Sequence, residues 1–166
     1  MAVAGIGLVK LPRVLRAMEA SRSLSFHHIH TGERLTAEYF TGGDYLPNAL
    51  HEVNHVLRDW RQNEIHPIDP GLLDLLHQLH AATGSRQPFE VICGYRTPAT
   101  NSMLHRHSEK VALNSLHLQG KAIDIRLPDV SLARLRDAAL KLRLGGVGYY
   151  PDSNFVHVDT GRIRAW

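Results

Sequence analysis

Hydrophobic positions recur every second residue in several short runs of this chain and every three to four residues in longer ones. Strands and helices thus intermix, the pattern of an α+β domain. Leu24, Phe26, His28 and His30 alternate, Thr31-Gly32-Glu33 supplies a turn, and Arg34–Phe40 follows, which predicts a hairpin. Pro47 opens a helix whose Leu46, Leu50, Val53, Leu57 and Trp60 form one apolar stripe. Asp69-Pro70 starts another, with leucines at 72, 73, 76 and 79 and a stop at Gly84. Phe89–Cys93 is an apolar strand, in which Cys93 is expected to be a small core residue. Ser131 caps a helix bearing Leu132, Leu135, Ala138, Ala139 and Leu142, closed near Gly145-Gly146. Val147–Tyr150, the Pro151–Asn154 turn and Phe155–Thr160 complete a closing hairpin. The expected architecture is one α+β domain, with a mainly antiparallel sheet carrying the functional residues and helices on its other side.

The chemistry concentrates in the last third. Ser115-Leu-His117 precedes Lys121-Ala-Ile-Asp-Ile-Arg-Leu127, where Ile123, Ile125 and Leu127 alternate with Ala122, Asp124 and Arg126. That period of two puts Asp124 on the face opposite the isoleucines. In Phe155–Asp159 the valines 156 and 158 face one way, and Phe155, His157 and Asp159 the other. Two neighbouring strands would thus set Asp124 beside His157, opposed side chains lying within about 5 Å. His117 would enter from the preceding loop, with Gly120 letting the chain bend. Two imidazoles and one carboxylate leave a fourth zinc position open, as catalytic rather than structural sites do. If His117, Asp124 and His157 converge, the chain is a zinc hydrolase.

These segments, with Gly94-Tyr95-Arg96-Thr97, resemble the D-Ala-D-Ala metallopeptidases, whose zinc domain is shared with hedgehog proteins. From about Ser23 to Trp166 the chain is similar, more closely, to the MepK-type peptidoglycan endopeptidases. The opening Ser25-Phe26 with His30-Thr-Gly-Glu33, the Leu57-Arg-Asp-Trp-Arg61 segment and Gly145-Gly-Val-Gly-Tyr-Tyr-Pro151 carry that likeness. It implies one zinc ion at His117, Asp124 and His157, and the stem peptides of peptidoglycan as substrate, with cross-links at D-configured or diaminopimelate centres. It also implies that Arg96, with its planar donor fork, holds substrate and stabilises the developing oxyanion. Ser115 is expected to order its loop or touch substrate.

The general base departs from the relatives' pattern. VanX-type enzymes carry a Glu where this chain has Asn154, and others a His where it has Phe155. Asp159, two residues past His157 on the same strand face, is either the base or a partner that orients the ligand imidazole. Asp152 and the histidines at 105 and 107 remain candidates.

Two further readings compete. His51-Glu52-Val-Asn-His55 matches the helical His-Glu-x-x-His zinc signature. On a 3.6-residue helix, however, His51 and His55 lie opposite the apolar stripe, and Arg58 stands where the longer form of that signature needs Gly. The other is a hedgehog-like module that keeps zinc and binds peptidoglycan without turnover. His105 and His107 fall in a polar loop, His27, His28 and His30 on the first hairpin, and His77 and His80 at the wet edge of the leucine helix. None of these needs a metal.

Composition adds limits. At 166 residues with a single cysteine, the chain fits one domain without an internal disulfide. The formal charge of +3 is mild, and no Lys/Arg stripe with aromatics argues for nucleic acid. Residues 1–22 form a leader, in which the apolar run Ala2–Val9 before Lys10 and Arg13 is too short to span a bilayer. It is either the stump of an export signal or a frayed amphipathic lead-in to the 23–166 domain. A periplasmic location follows from the inferred substrate.

Overall fold

A computed structural model describes residues 21–107 and 111–166. Eight strands form one sheet: β1 (Arg22–His28), β2 (Arg34–Thr41), β3 (Asp44–Tyr45), β4 (Phe89–Cys93), β5 (Ala122–Arg126), β6 (Gly146–Tyr150), β7 (Phe155–Asp159) and β8 (Arg164–Ala165). Their order is β3-β2-β1-β4-β5-β7-β6-β8. Pairing is antiparallel except between β1 and β4 and between β6 and β8. The helices are α1 (Pro47–Val56), α2 (Pro70–Thr83), α3 (Pro98–His107) and α4 (Leu132–Leu142). The leader expected over residues 1–22 lies outside the described residues except for its last two, and Arg22 already pairs with Phe40 in the first hairpin. No described helix is long and apolar enough to cross a membrane.

One face of the sheet carries the core. Ile123, Ile125, Val156 and Val158 pack with Phe26, Phe89 and Val91, the leucines of α2, Val53 and Val56 of α1, and Leu135 of α4. Helix α2 behaves as its sequence predicts. The Asp69 carboxylate accepts from the Gly71 amide at 2.9 Å, and Gly84 closes the helix in the left-handed region at φ 65°. The opposite face of β5 and β7 is left for chemistry.

Three local expectations need correction. Helix α1 ends at Val56, so Trp60 is not on its stripe. The Asp59 and Glu64 backbones instead bond each other at 3.0 and 3.2 Å and pull the chain into a tight turn. Helix α4 ends in a left-handed Arg143 rather than at the glycines, and Gly146 already belongs to β6. His105 and His107 lie on α3, not in a loop. Thr97 and Pro98 explain this: the Thr97 hydroxyl accepts from the Thr100 amide at 3.1 Å, and Pro98 takes the first helical position, where no N–H is needed.

Candidate metal centre

The ladder lines up the chemistry. Asp124 pairs directly with His157 across β5 and β7, as the alternation of both strands predicts. On its other side Asp124 faces Cys93 of β4, and beyond His157 lies Gly148 of β6. Cys93 reaches this row through a register shift between Val91 and Cys93. Simple alternation would send Cys93 into the core with Phe89 and Val91. The bulge turns it to the site face, a common device beside functional sites. Cys93 is buried, as expected, but beside Asp124 rather than in the core.

His117 arrives from a short 3-10 turn, Leu116–Gln119, capped by the Ser115 hydroxyl, which accepts from the His117 amide at 3.3 Å. Gly120 ends that turn at φ 64°, where a side chain would collide with the Pro67 carbonyl. The His117 Nδ1 lies 2.7 Å from the Gly94 carbonyl oxygen. Gly94 itself rests against the Leu57 backbone, with no room for a Cβ.

Three donor atoms then meet. His117 Nε2 lies 3.2 Å from His157 Nδ1 and 3.3 Å from Asp124 Oδ1, and the last two are 2.9 Å apart. Ligand atoms around a tetrahedral zinc ion, bonded at roughly 2.0–2.2 Å, are themselves about 3.3 Å apart. The outer contacts of the rings fit as well. Gly94 O takes the Nδ1 proton of His117, and the Asp159 carboxylate takes the Nε2 proton of His157 at 3.0 Å. Those bonds turn the lone pairs of both inner nitrogens and a carboxylate oxygen onto one point. Such an arrangement could hold a cation. Cys93, His117 and Asp124 also have donor atoms within 4.8 Å of one another, so the thiol stands at the edge of the same cluster.

Burial opposes charge on His117, yet the Asp124 carboxylate and Cys93 outweigh it and raise the imidazole to about 10. Burial likewise opposes the Asp124 charge, but His117 and His157 hold its carboxyl far below the usual range.

Arg96 closes one side. Its Nη2 donates to Cys93 Sγ at 3.4 Å and lies 3.6 Å from Asp124 Oδ2, while Nη1 donates to Asn101 Oδ1 at 3.2 Å. Asn101 in turn donates to the carbonyls of Ala112 and Leu113, tying α3 to the loop before the site. The turn carrying Arg96 is anchored by buried Asp59, which accepts from the Thr97 amide and hydroxyl at 2.9 and 2.8 Å. Arg96, Ser115, His117, Asp124 and His157 all line one open cleft of about 420 Å³.

Asp159 is wholly buried behind His157. Its two oxygens face five donors: His157 Nε2, both Nη groups of Arg164, and the amides of Gly146 and Gly161. Burial opposes its charge, but these bonds, led by those from His157 and Arg164, keep the carboxyl well below its ordinary range.

The sequence model of the family described as peptidoglycan L,D-endopeptidase MepK matches residues 16–166. The chain belongs to this family. Curated relatives agree. The peptidoglycan L,D-endopeptidase MepK of Escherichia coli K12 is 47% identical over 145 residues, covering 87% of this chain and 80% of the relative. A probable MepK of Haemophilus influenzae is 44% identical over 165 residues, covering 97% and 89%. Among solved structures, the L-Ala D-Glu endopeptidase ChiX of Serratia marcescens aligns over 57% of this chain and 68% of its own, with 21% identity and a TM-score of 0.38. The chain is therefore of a peptidoglycan endopeptidase family within the metallopeptidase group that its sequence resembles.

Against the VanX-type and carboxypeptidase patterns, the missing base positions have a local explanation. Asn154 holds φ 54° in the turn between β6 and β7, a conformation that Asn tolerates and Glu does not favour. Phe155 stacks on Tyr150 at 4.6 Å. Apart from His117, Asp124 and His157, no carboxylate or imidazole lines the cleft among the described residues. Asp152 borders a neighbouring hollow instead. His105 and His107 bond backbone carbonyls of Val111 and Met103. His51, Glu52 and His55 are exposed on α1, and His55 Nε2 sits 3.4 Å from Glu33. No metal cluster includes His51, Glu52 or His55 among the described residues.

Sequence reasoning missed Cys93, Asn101, Arg164 and Trp166 at the site. Trp166 packs 5.3 Å from the His157 ring, and Arg164 lies 4.7 Å from the Trp166 ring centre.

Proposed function

We propose that this chain is a zinc-dependent peptidoglycan L,D-endopeptidase that cuts peptide cross-links of the murein stem peptides in the periplasm. The observation that carries the zinc reading is the mutual approach of His117 Nε2, Asp124 Oδ1 and His157 Nδ1 beneath an open cleft. The names of its relatives support the L,D bond as the one cut. A zinc ion held there would supply Lewis acidity to the scissile carbonyl and to an attacking water. Arg96 then holds the carbonyl oxygen as it gains charge, with Asn101 and Cys93 fixing the direction of its guanidinium. Ser115 positions His117 and stands at the cleft wall for substrate.

Asp159 is assigned the orienting role of its two. Its Oδ2 meets the outer nitrogen of His157, and its other bonds are all made inside the protein. Asp159→Asn should therefore weaken zinc affinity by roughly 10–100-fold while the rate at saturating zinc stays near wild type. Chelator-competition titration beside rate measurement checks this. Unchanged affinity with a rate roughly 100- to 10,000-fold lower would make Asp159 the base instead.

Zinc uptake should also be proton-coupled. In the metal-free protein the raised His117 keeps its proton up to about pH 10, so the ion must displace it. Its contribution to metal-free stability is full below the unfolded value near 6.5 and disappears as pH rises towards 10. Calorimetry near pH 7.5 in buffers of different ionisation heat should read about one proton released per zinc. No buffer dependence would contradict the site.

The shortage of a base in the cleft favours one rival, a zinc-containing module that binds peptidoglycan without cutting it. Digestion of purified sacculi with and without chelator, with the muropeptides resolved, decides between them. Metal-dependent loss of L,D-cross-linked species supports the endopeptidase; binding without release supports the module.

A further inference from the structure

A groove of about 420 Å³ lies between the first hairpin and the segment that leads into β4. Its shape follows from the ladder. β1 pairs with β2 from Arg22 onward, but with β4 only from Phe26, opposite Phe89. Pro88, just before that pair, has no N–H with which to extend it. The Ser23–Ser25 edge of β1 therefore has no ladder partner on the β4 side among the described residues, and it opens into the groove. Ser25 Oγ and Thr36 Oγ1 meet across β1 and β2 at 2.9 Å in the groove wall. That contact uses one hydroxyl proton of the two and leaves the other for an oxygen that enters.

Charge selects the occupant. Arg34 and Arg86 line the groove together with His80, and no carboxylate among the described residues does. Arg22, Arg58, Arg96, Arg126, Arg136 and Arg164 each pair with a carboxylate. Arg34 and Arg86 are exposed and have no such partner among the described residues. Nearby, the Asp129 carboxylate accepts from the Ser85 hydroxyl at 2.6 Å and from the Arg86 amide at 3.1 Å. Glu38, opposite Ser23 on β2, stands outside the lining. His80 Nε2 lies 2.9 Å from the Gln87 carbonyl oxygen, which ties that ring to the wall. Two unpartnered planar donor forks beside an open strand edge suit an extended peptide that carries carboxylates.

We propose that this groove anchors a carboxylate-bearing stem peptide of peptidoglycan that neighbours the one being cut, laid along β1 and held by Arg34 and Arg86. The identity of the occupant rests on the peptidoglycan reading. Separation from the metal cleft explains why it is a neighbour. Asp124 lies level with Cys93 at the other end of β4, and β5 is two strands over from β1. At about 3.3 Å per residue and about 4.8 Å per strand, the groove is roughly 16 Å from Asp124. That span takes about five extended residues, so the anchored chain and the bond cut belong to separate stem peptides.

The test measures co-sedimentation and initial rates with the zinc-loaded full chain. Its substrates are untreated sacculi, sacculi whose carboxyl groups are amidated, and soluble cross-linked dimer muropeptides. Arg34→Gln with Arg86→Gln should bind untreated sacculi about tenfold more weakly, the combined effect of two exposed charge pairs. Amidation should cost the wild type about tenfold more binding than it costs this double variant. On the soluble dimer the two proteins should match in kcat and KM, with equal zinc content. Lys141→Gln with Arg143→Gln removes the same charge from the exposed end of α4 and should bind sacculi as the wild type does. An equal loss in that control, wild-type binding by the arginine pair, or equal amidation penalties would overturn the anchor. So would a loss on the dimer as large as on sacculi, or undiminished wild-type binding to glycan strands stripped of peptide. If the wild type releases nothing from sacculi or dimer, the endopeptidase reading fails instead, and sedimentation still judges the groove.

Discussion

Replacing His117 or His157 with alanine is expected to abolish zinc binding and hydrolysis together while leaving a folded protein. Each change deletes one of three converging donors, and neither of the two atoms left can hold the ion alone against water. His117→Ala also leaves the buried Gly94 carbonyl with only the weak Cys93 thiol contact at 3.6 Å, which costs about 1–3 kcal/mol of stability but not the core. His157→Ala removes one of five donors from Asp159 and leaves Arg164 and two amides in place. Metal analysis and circular dichroism should thus show lost stoichiometry with the fold retained. The exposed pair on α1 is the control. Joint His51→Gln and His55→Gln replacement should keep zinc and activity near wild type. Full zinc in both alanine variants, or its loss in the glutamine pair, would revive the helical metalloproteinase reading.

Arg96→Lys should lower kcat by roughly 100- to 1,000-fold, the scale of losing a positioned oxyanion donor. Lysine keeps the charge but cannot reach Asn101, Cys93 and the cleft at once with a planar fork. Because Arg96 is buried, stability should fall too, by roughly 1–3 kcal/mol, lowering Tm by several degrees. Zinc content should not change. A lysine variant with wild-type kcat would reduce Arg96 to a structural contact of the α3 turn.

The sheet end of the site was legible because a pleat has only two faces. Alternation in residues 122–127 and 155–159 was enough to set Asp124 opposite His157, and the ladder pairs them. The same rule misled at Cys93, where one extra residue in β4 reverses the faces; nothing in Phe-Glu-Val-Ile-Cys marks a bulge. Helix α3 was hidden by its polar composition, although Thr97-Pro98 carries a helix start that could have been read. Arg164 opens a two-residue strand and Trp166 follows it, too short a stretch for any period, and only tertiary pairing with β6 brings them to His157. Asp159 was legible as a neighbour of His157 but not as a buried carboxylate with five donors, since those donors come from three separate segments.

X-ray absorption at the zinc edge of the purified, zinc-loaded protein reads the ligand set of the ion itself. Expected are two imidazole nitrogens and carboxylate or water oxygens at about 2.0–2.2 Å, with no sulfur neighbour. A sulfur shell at about 2.3 Å would place Cys93 on the metal, close the open position and contradict the catalytic site described.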